Sequence, residues 1–230
     1  MKLVLVLLTV LAALSPIAAQ TSLCKVGVAA APVGFWTWAP ESTIRVYIVE
    51  SDFKPGELEY LLAPFSPWNA VSEATGSKVR FEYKGLVNRP VYCENCLTIV
   101  RGQVFDKSKR HLTELRTFSA ARNRIMTWAT IVVDPLLTNP ETLTNALVHE
   151  LGHSFGLLDC YSCKQNSTVM IQFKSVNVSN NMDRPSACDV AQVKLAYEML
   201  AQRVTHSTAL VVDEGDEPVD DDTPVVIRKP

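Results

Sequence analysis

The chain has 230 residues, with 22 Lys or Arg, 24 Asp or Glu, 47% hydrophobic residues and a formal net charge of -2. That length supplies a real core for one domain, and this apolar share excludes a largely disordered chain. Nine Gly and 13 Pro exclude collagen-like sequence, and the near balance of charge excludes a broadly basic nucleic-acid binder.

The two ends differ from the middle. Lys2 precedes an apolar run from Leu3 to Leu14, followed by Pro16 and the small residues Ala18 and Ala19. This is the layout of a secretory signal peptide, too short for a spanning helix, with cleavage expected near Ala19 or Gln20. Residues 1–19 are therefore read as a signal peptide and the product as secreted and extracellular, with no membrane segment in the mature form. At the other end, residues 207–230 carry Asp213, Glu214, Asp216, Glu217, Asp220, Asp221 and Asp222 against Arg228 and Lys229, with no aromatic residue. Such a stretch buries too little apolar surface to offset its ordering entropy, and reads as a disordered acidic tail. One domain remains, over residues 20–206, with almost no net charge.

Within it, Thr43–Val49 alternates, with Ile44, Val46 and Ile48 on one face of a half-buried strand. Pro64 and Pro67 break or kink any helix between Gly56 and Thr75. Val79, Phe81 and Tyr83 mark a second strand, Leu97–Phe105 a third and Met126–Val133 a fourth. Asn139-Pro140-Glu141 opens a helix, with Thr138 or Asn139 as cap and Pro140 at its first position. A later helix starts near Pro185-Ser186, where Ser186 and Asp189 have capping-box spacing. Val190, Val193, Tyr197, Leu200 and Val204 then recur at helical spacing as a core stripe. The pattern is α+β: strands, a central helix and a C-terminal helix.

All six cysteines, Cys24, Cys93, Cys96, Cys160, Cys163 and Cys188, lie behind the predicted signal peptide. An even count in an oxidising compartment favours disulfides, and six cysteines allow 15 pairings. Cys93 and Cys96 sit at a turn between two apolar runs and suit a local bridge, whereas Cys160, Cys163 and Cys188 are expected to cluster with Cys24. The two CxxC pairs also suggest a structural zinc site, but their separation far exceeds that of a compact zinc ribbon. Two sequons, at Asn166 and Asn177, permit N-glycosylation.

The informative segment is ALVHELGHSFGLLDC, residues 146–160. On a helix, His149 and His153 share one face one turn apart, where both can bind a single metal ion. Glu150 follows the first ligand directly and can reach a metal-bound water as general base. Gly156 can end the helix in the left-handed conformation and turn the chain back. After such a turn, Asp159 can supply a third ligand. Gly152 is a poor helix former, explained if something packs closely against it.

HELGHSFGLLD resembles the metzincin form of the zinc-peptidase signature, HExxHxxGxx(H/D), with Asp159 where most members carry a third His, as in the snapalysin-like variant. The resemblance implies a metzincin-like zincin catalytic domain: a twisted mixed sheet, a central motif helix and a C-terminal helix like that of matrixin-type domains. It implies one catalytic Zn2+ on His149, His153 and Asp159, and a methionine in a tight turn beneath the metal, for which Met170 is the candidate. It also implies that Met126–Val133 lines the cleft and pairs with extended substrate. Two departures stand out: Ile171-Gln172-Phe173 offers no Tyr after the methionine turn, and Cys24 lacks the motif that surrounds the latency cysteine of matrixins.

The expected activity is thus that of a secreted zinc metalloendopeptidase, a monomer acting on protein or peptide substrates, with no nucleic-acid partner. Glu150 would deprotonate the zinc-bound water and pass the proton to the leaving amine. The competing reading is a disulfide-held, non-enzymatic binding protein on a metzincin scaffold, against which the intact Glu150 counts.

Overall fold

A computed structural model describes residues 30–34, 36–104, 113–119, 125–171 and 181–210. The predicted signal peptide, Cys24, Asn177 and the tail beyond residue 210 lie outside them. The described strands are β1 (Thr43–Val49), β2 (Arg80–Val87), β3 (Cys96–Arg101), β4 (Thr113–Ser119) and β5 (Met126–Val133). The helices are α1 (Leu58–Leu62), α2 (Phe65–Thr75), α3 (Pro140–Ser154) and α4 (Ala187–Leu210).

The strands form one sheet in the order β2-β1-β3-β5-β4. β2, β1, β3 and β5 run parallel, and β4 closes one edge antiparallel to β5. The mixed α+β sheet expected from the sequence is therefore present, with one correction. Met126–Val133 is an interior strand, paired on both sides, and the edge belongs to β4, which strand alternation had not flagged. The third strand also closes earlier than expected. At Arg101 the backbone N–H is taken by Asp52 Oδ2 at 2.8 Å rather than by a neighbouring strand.

Ile44, Val46 and Ile48 are fully buried on one face, as their alternation requires. Helices cover that face. α1 and α2 are separate because the chain turns at Ala63-Pro64, while Pro67 falls in the first turn of α2, where its missing N–H costs nothing. Trp68 of α2 stacks on Phe155 at 5.0 Å and donates its indole N–H to Val148 O at 3.0 Å. That pair locks α2 against α3. The α4 stripe is confirmed by the burial of Val193, Tyr197 and Leu200, and the Tyr197 hydroxyl donates to Trp38 O at 3.1 Å. Among the described residues no helix is long and apolar enough to cross a membrane.

Cys93 bonds Cys96 and Cys160 bonds Cys163. Both CxxC pairs are thus local disulfides, which removes the structural-zinc alternative and corrects the expected clustering of Cys160 and Cys163 with Cys24. Short separations favour this outcome because little chain entropy is lost in closing the loop. Cys188 is also disulfide-bonded.

Arg101 ties the sheet to the segment before α1 by an ion pair and to the loop before α3 by hydrogen bonds. Arg101 bonds Glu57 Oε1 at 2.5 Å, donates to Leu137 O at 2.9 Å and to Asp134 O at 3.3 Å, and stacks over Phe53. Both side chains are mostly shielded from water. Replacing Arg101 by Met should lower unfolding stability by about 2–4 kcal/mol in urea titration, because Glu57 is left shielded and unpaired. Glu57→Gln should cost clearly less.

Candidate metal centre

The motif helix starts and stops as its residues dictate. Asn139 caps α3 by accepting the Thr142 N–H at 2.9 Å, and Pro140 occupies the first turn. At the other end Gly156 takes φ +85°. The Gly156 N–H donates to His153 O at 3.0 Å and the Leu157 N–H to Gly152 O at 3.1 Å. This pair of bonds is a Schellman turn, and a side chain at Gly156 would also strike Thr37. The turn reverses the chain so that Asp159 faces back toward the two histidines.

An N-terminal strap holds the returning segment. Gly34 N–H donates to Gly156 O at 2.6 Å and Leu158 N–H to Pro32 O at 2.8 Å, around an antiparallel bridge between Val33 and Leu157. The strap in turn pairs with the sheet, since Met126 N–H donates to Thr37 O at 2.9 Å.

His149, His153 and Asp159 come together, all buried, with one donor atom of each within 4.8 Å of the others. His149 Nε2 lies 3.0 Å and His153 Nε2 3.5 Å from Asp159 Oδ1. The far nitrogen of each ring is already committed: His149 Nδ1 meets Val169 O at 2.9 Å and His153 Nδ1 meets Leu157 O at 2.8 Å. A carbonyl only accepts, so each Nδ1 carries the proton, and each neutral ring presents the Nε2 lone pair to Asp159.

This donor set fits a cation. His149 Nε2 and Asp159 Oδ1 are buried and make no hydrogen bond. Two buried acceptor atoms face each other at 3.0 Å, an arrangement satisfied by a positive centre between them. Two metal bonds of about 2.0–2.1 Å at a tetrahedral angle set their donors roughly 3.3 Å apart, and the two N–O separations bracket that value. Two neutral imidazoles and one carboxylate also suit zinc chemically.

Met170 is fully buried, and its sulfur packs where a side chain at Gly152 would have to go. That contact accounts for a glycine inside the motif helix. The segment beneath the histidines is held by Asp189, which is fully buried in the first turn of α4. Its carboxylate accepts from the Thr168 hydroxyl, from Val169 N–H at 3.1 Å, and from the Ser186 N–H and hydroxyl at 2.7 and 2.8 Å. Asp189 thus caps α4, as its spacing from Ser186 predicts, and also holds Val169, the residue whose carbonyl orients His149. The second role is invisible in the sequence, because it depends on α4 crossing beneath the 168–170 turn.

Glu150 is fully buried. Its Oε1 accepts the Thr113 hydroxyl at 2.8 Å and its Oε2 accepts the Leu115 N–H at 3.0 Å, both from β4. These contacts were not foreseen, because β4 was not foreseen. Asn166 is exposed in a left-handed turn conformation, accessible as a sequon residue must be.

No family model and no curated protein matches this sequence. Among solved structures, the chain is similar to that of myroilysin, with 12% identity and a TM-score of 0.41, over 70% of this chain and 81% of that one. It is also similar to metalloproteinase-II from Bacteroides fragilis, with 10% identity and a TM-score of 0.43, over 77% of this chain and 60% of that one. The chain therefore spans less than two thirds of the second protein's length. Both are partial likenesses of overall layout.

Proposed function

We propose that this chain is a secreted zinc-dependent endopeptidase, with His149, His153 and Asp159 as metal ligands and Glu150 as general base. The observation that carries the reading is the convergence of three buried lone-pair donors on the helix that also bears a buried carboxylate. When bound, zinc supplies a Lewis acid that polarises a peptide carbonyl and brings the acidity of water to about pH 7.

The chain's own residues do the rest. Val169 O and Leu157 O hold the imidazoles in the tautomer that turns Nε2 toward Asp159. Glu150 accepts a proton from water as the oxygen attacks the carbonyl carbon, and returns it to the nitrogen as the C–N bond breaks. β4 is the outermost described strand of the sheet, and an extended peptide would add along the part of its outer edge beyond Leu115, whose N–H is taken by Glu150. That role passes to β4 from Met126–Val133, which is paired on both sides. The apolar N-terminal run, the local disulfides and the exposed Asn166 sequon support an oxidising, extracellular setting. A buried carboxylate beside the ligands is superfluous in a pure binding scaffold, which favours the enzyme.

Three measurements test this. Glu150→Gln should keep about one zinc per chain while losing chelator-sensitive casein cleavage by about 10²–10⁴-fold. Asp159→Ala should weaken zinc affinity by at least about 100-fold in a chelator competition, more than loss of an outer-sphere partner would. Zinc should be retained at pH 7–8 and lost as pH falls below about 6, read by metal content after dialysis. The sign follows because protons compete with the metal for the imidazoles, whose ordinary pKa is about 6.5.

A further inference from the structure

We propose that Thr113 is a positioning residue: its hydroxyl, together with the Leu115 N–H, holds the Glu150 carboxylate in the orientation that proton transfer requires. This rests on the peptidase reading above and deepens it.

A carboxylate removed from water needs donors in return. β4 supplies two, one to each oxygen, from residues two apart on one strand. Thr113 and Leu115 are themselves 5% and 3% exposed, unusual for an edge strand. The reason is geometric. Leu115 pairs opposite Ile131, and its N–H points away from β5 toward Glu150. The side chain of Thr113 reaches the same carboxylate two residues earlier.

Two anchors define what one leaves open. The terminal torsion of a glutamate is broad and roughly two-fold, so a carboxylate held at one oxygen still rotates. Held at both, its plane is set. The strand that sets this plane is also the strand an extended substrate would join. The base is thereby aligned to the same backbone that would align the peptide. Thr113 acts through Glu150, and no contact of its own with substrate is required.

The test uses the full chain in five forms: wild type, Thr113→Val, Thr113→Ser, Glu150→Ala and the double variant Thr113→Val with Glu150→Ala. Valine keeps the shape of threonine and removes the hydroxyl. The first readout needs no activity: the Tm of chelator-stripped protein. Thr113→Val should lower it by several degrees when Glu150 is present and by much less in the Glu150→Ala background, while Thr113→Ser stays near wild type. The second readout is kinetic. Thr113→Val should lower kcat about 10- to 100-fold with KM within twofold and zinc content unchanged, and Thr113→Ser should restore most of kcat. An equal Tm loss in both backgrounds, or a wild-type kcat in Thr113→Val, overturns the proposal. Wild-type protein without chelator-sensitive cleavage overturns the peptidase reading instead, and the Tm cycle then decides the Thr113–Glu150 contact separately.

Discussion

The fold is organised around an electrostatic problem: two imidazole nitrogens and one carboxylate oxygen directed at a common point in a water-poor pocket. Left alone, such lone pairs repel and cost desolvation energy, so the surrounding chain must hold them there. It does so with backbone rather than with other charges. Two peptide carbonyls take the outer ring protons, a Schellman turn carries Asp159 back across the helix end, and a short N-terminal strap pairs with that turn. Each device uses groups that need hydrogen-bond partners in any case. The site is therefore assembled from the same bonds that terminate a helix and cover a loop. Metal binding and folding are linked for the same reason, because a cation relieves a strain that the folded chain creates.

Two carboxylates outside the ligand set show how far this economy extends. Asp189 satisfies the Ser186 N–H at the start of α4 and reaches the turn that carries Val169 and Met170. One buried charge thus joins the C-terminal helix to the underside of the metal site. Glu150 does something similar in the other direction. Its position beside His149 on α3 is set by the helix, but its two oxygens are claimed by β4. The antiparallel edge strand is consequently part of the site. A wholly parallel sheet would place different backbone groups against α3.

The parts of the structure legible in the sequence are those decided within a few residues. Asn139 and Pro140 open α3, Gly156 closes it in the left-handed conformation, and Ser186 with Asp189 opens α4, each as its local chemistry requires. The four-residue spacing of His149 and His153 needs only a helix to bring the rings together. The Cys93–Cys96 bridge obeys the same logic of short closure, whereas the equally local Cys160–Cys163 bridge replaces an expected cluster with Cys24. The other misreadings concern strands. Met126–Val133 is continuous and apolar, and was assigned to the cleft edge, yet continuous apolar character is what an interior parallel strand demands. The true edge, Thr113–Ser119, mixes Thr, Glu and Arg with Leu and Phe, and so resembles a loop when read alone.

What the sequence determined by itself was the helical motif, its caps and turns, and the identity of the three side chains that meet. Those follow from torsional preference and periodicity over one or two turns of chain. Only the tertiary structure decided the strand order, the partner of Glu150, the second duty of Asp189 and the atom that fills the space above Gly152. These depend on which segments pass one another after tens of residues of intervening chain. No local preference encodes such a crossing, because burial of the common apolar face selects the arrangement of all the strands and helices together.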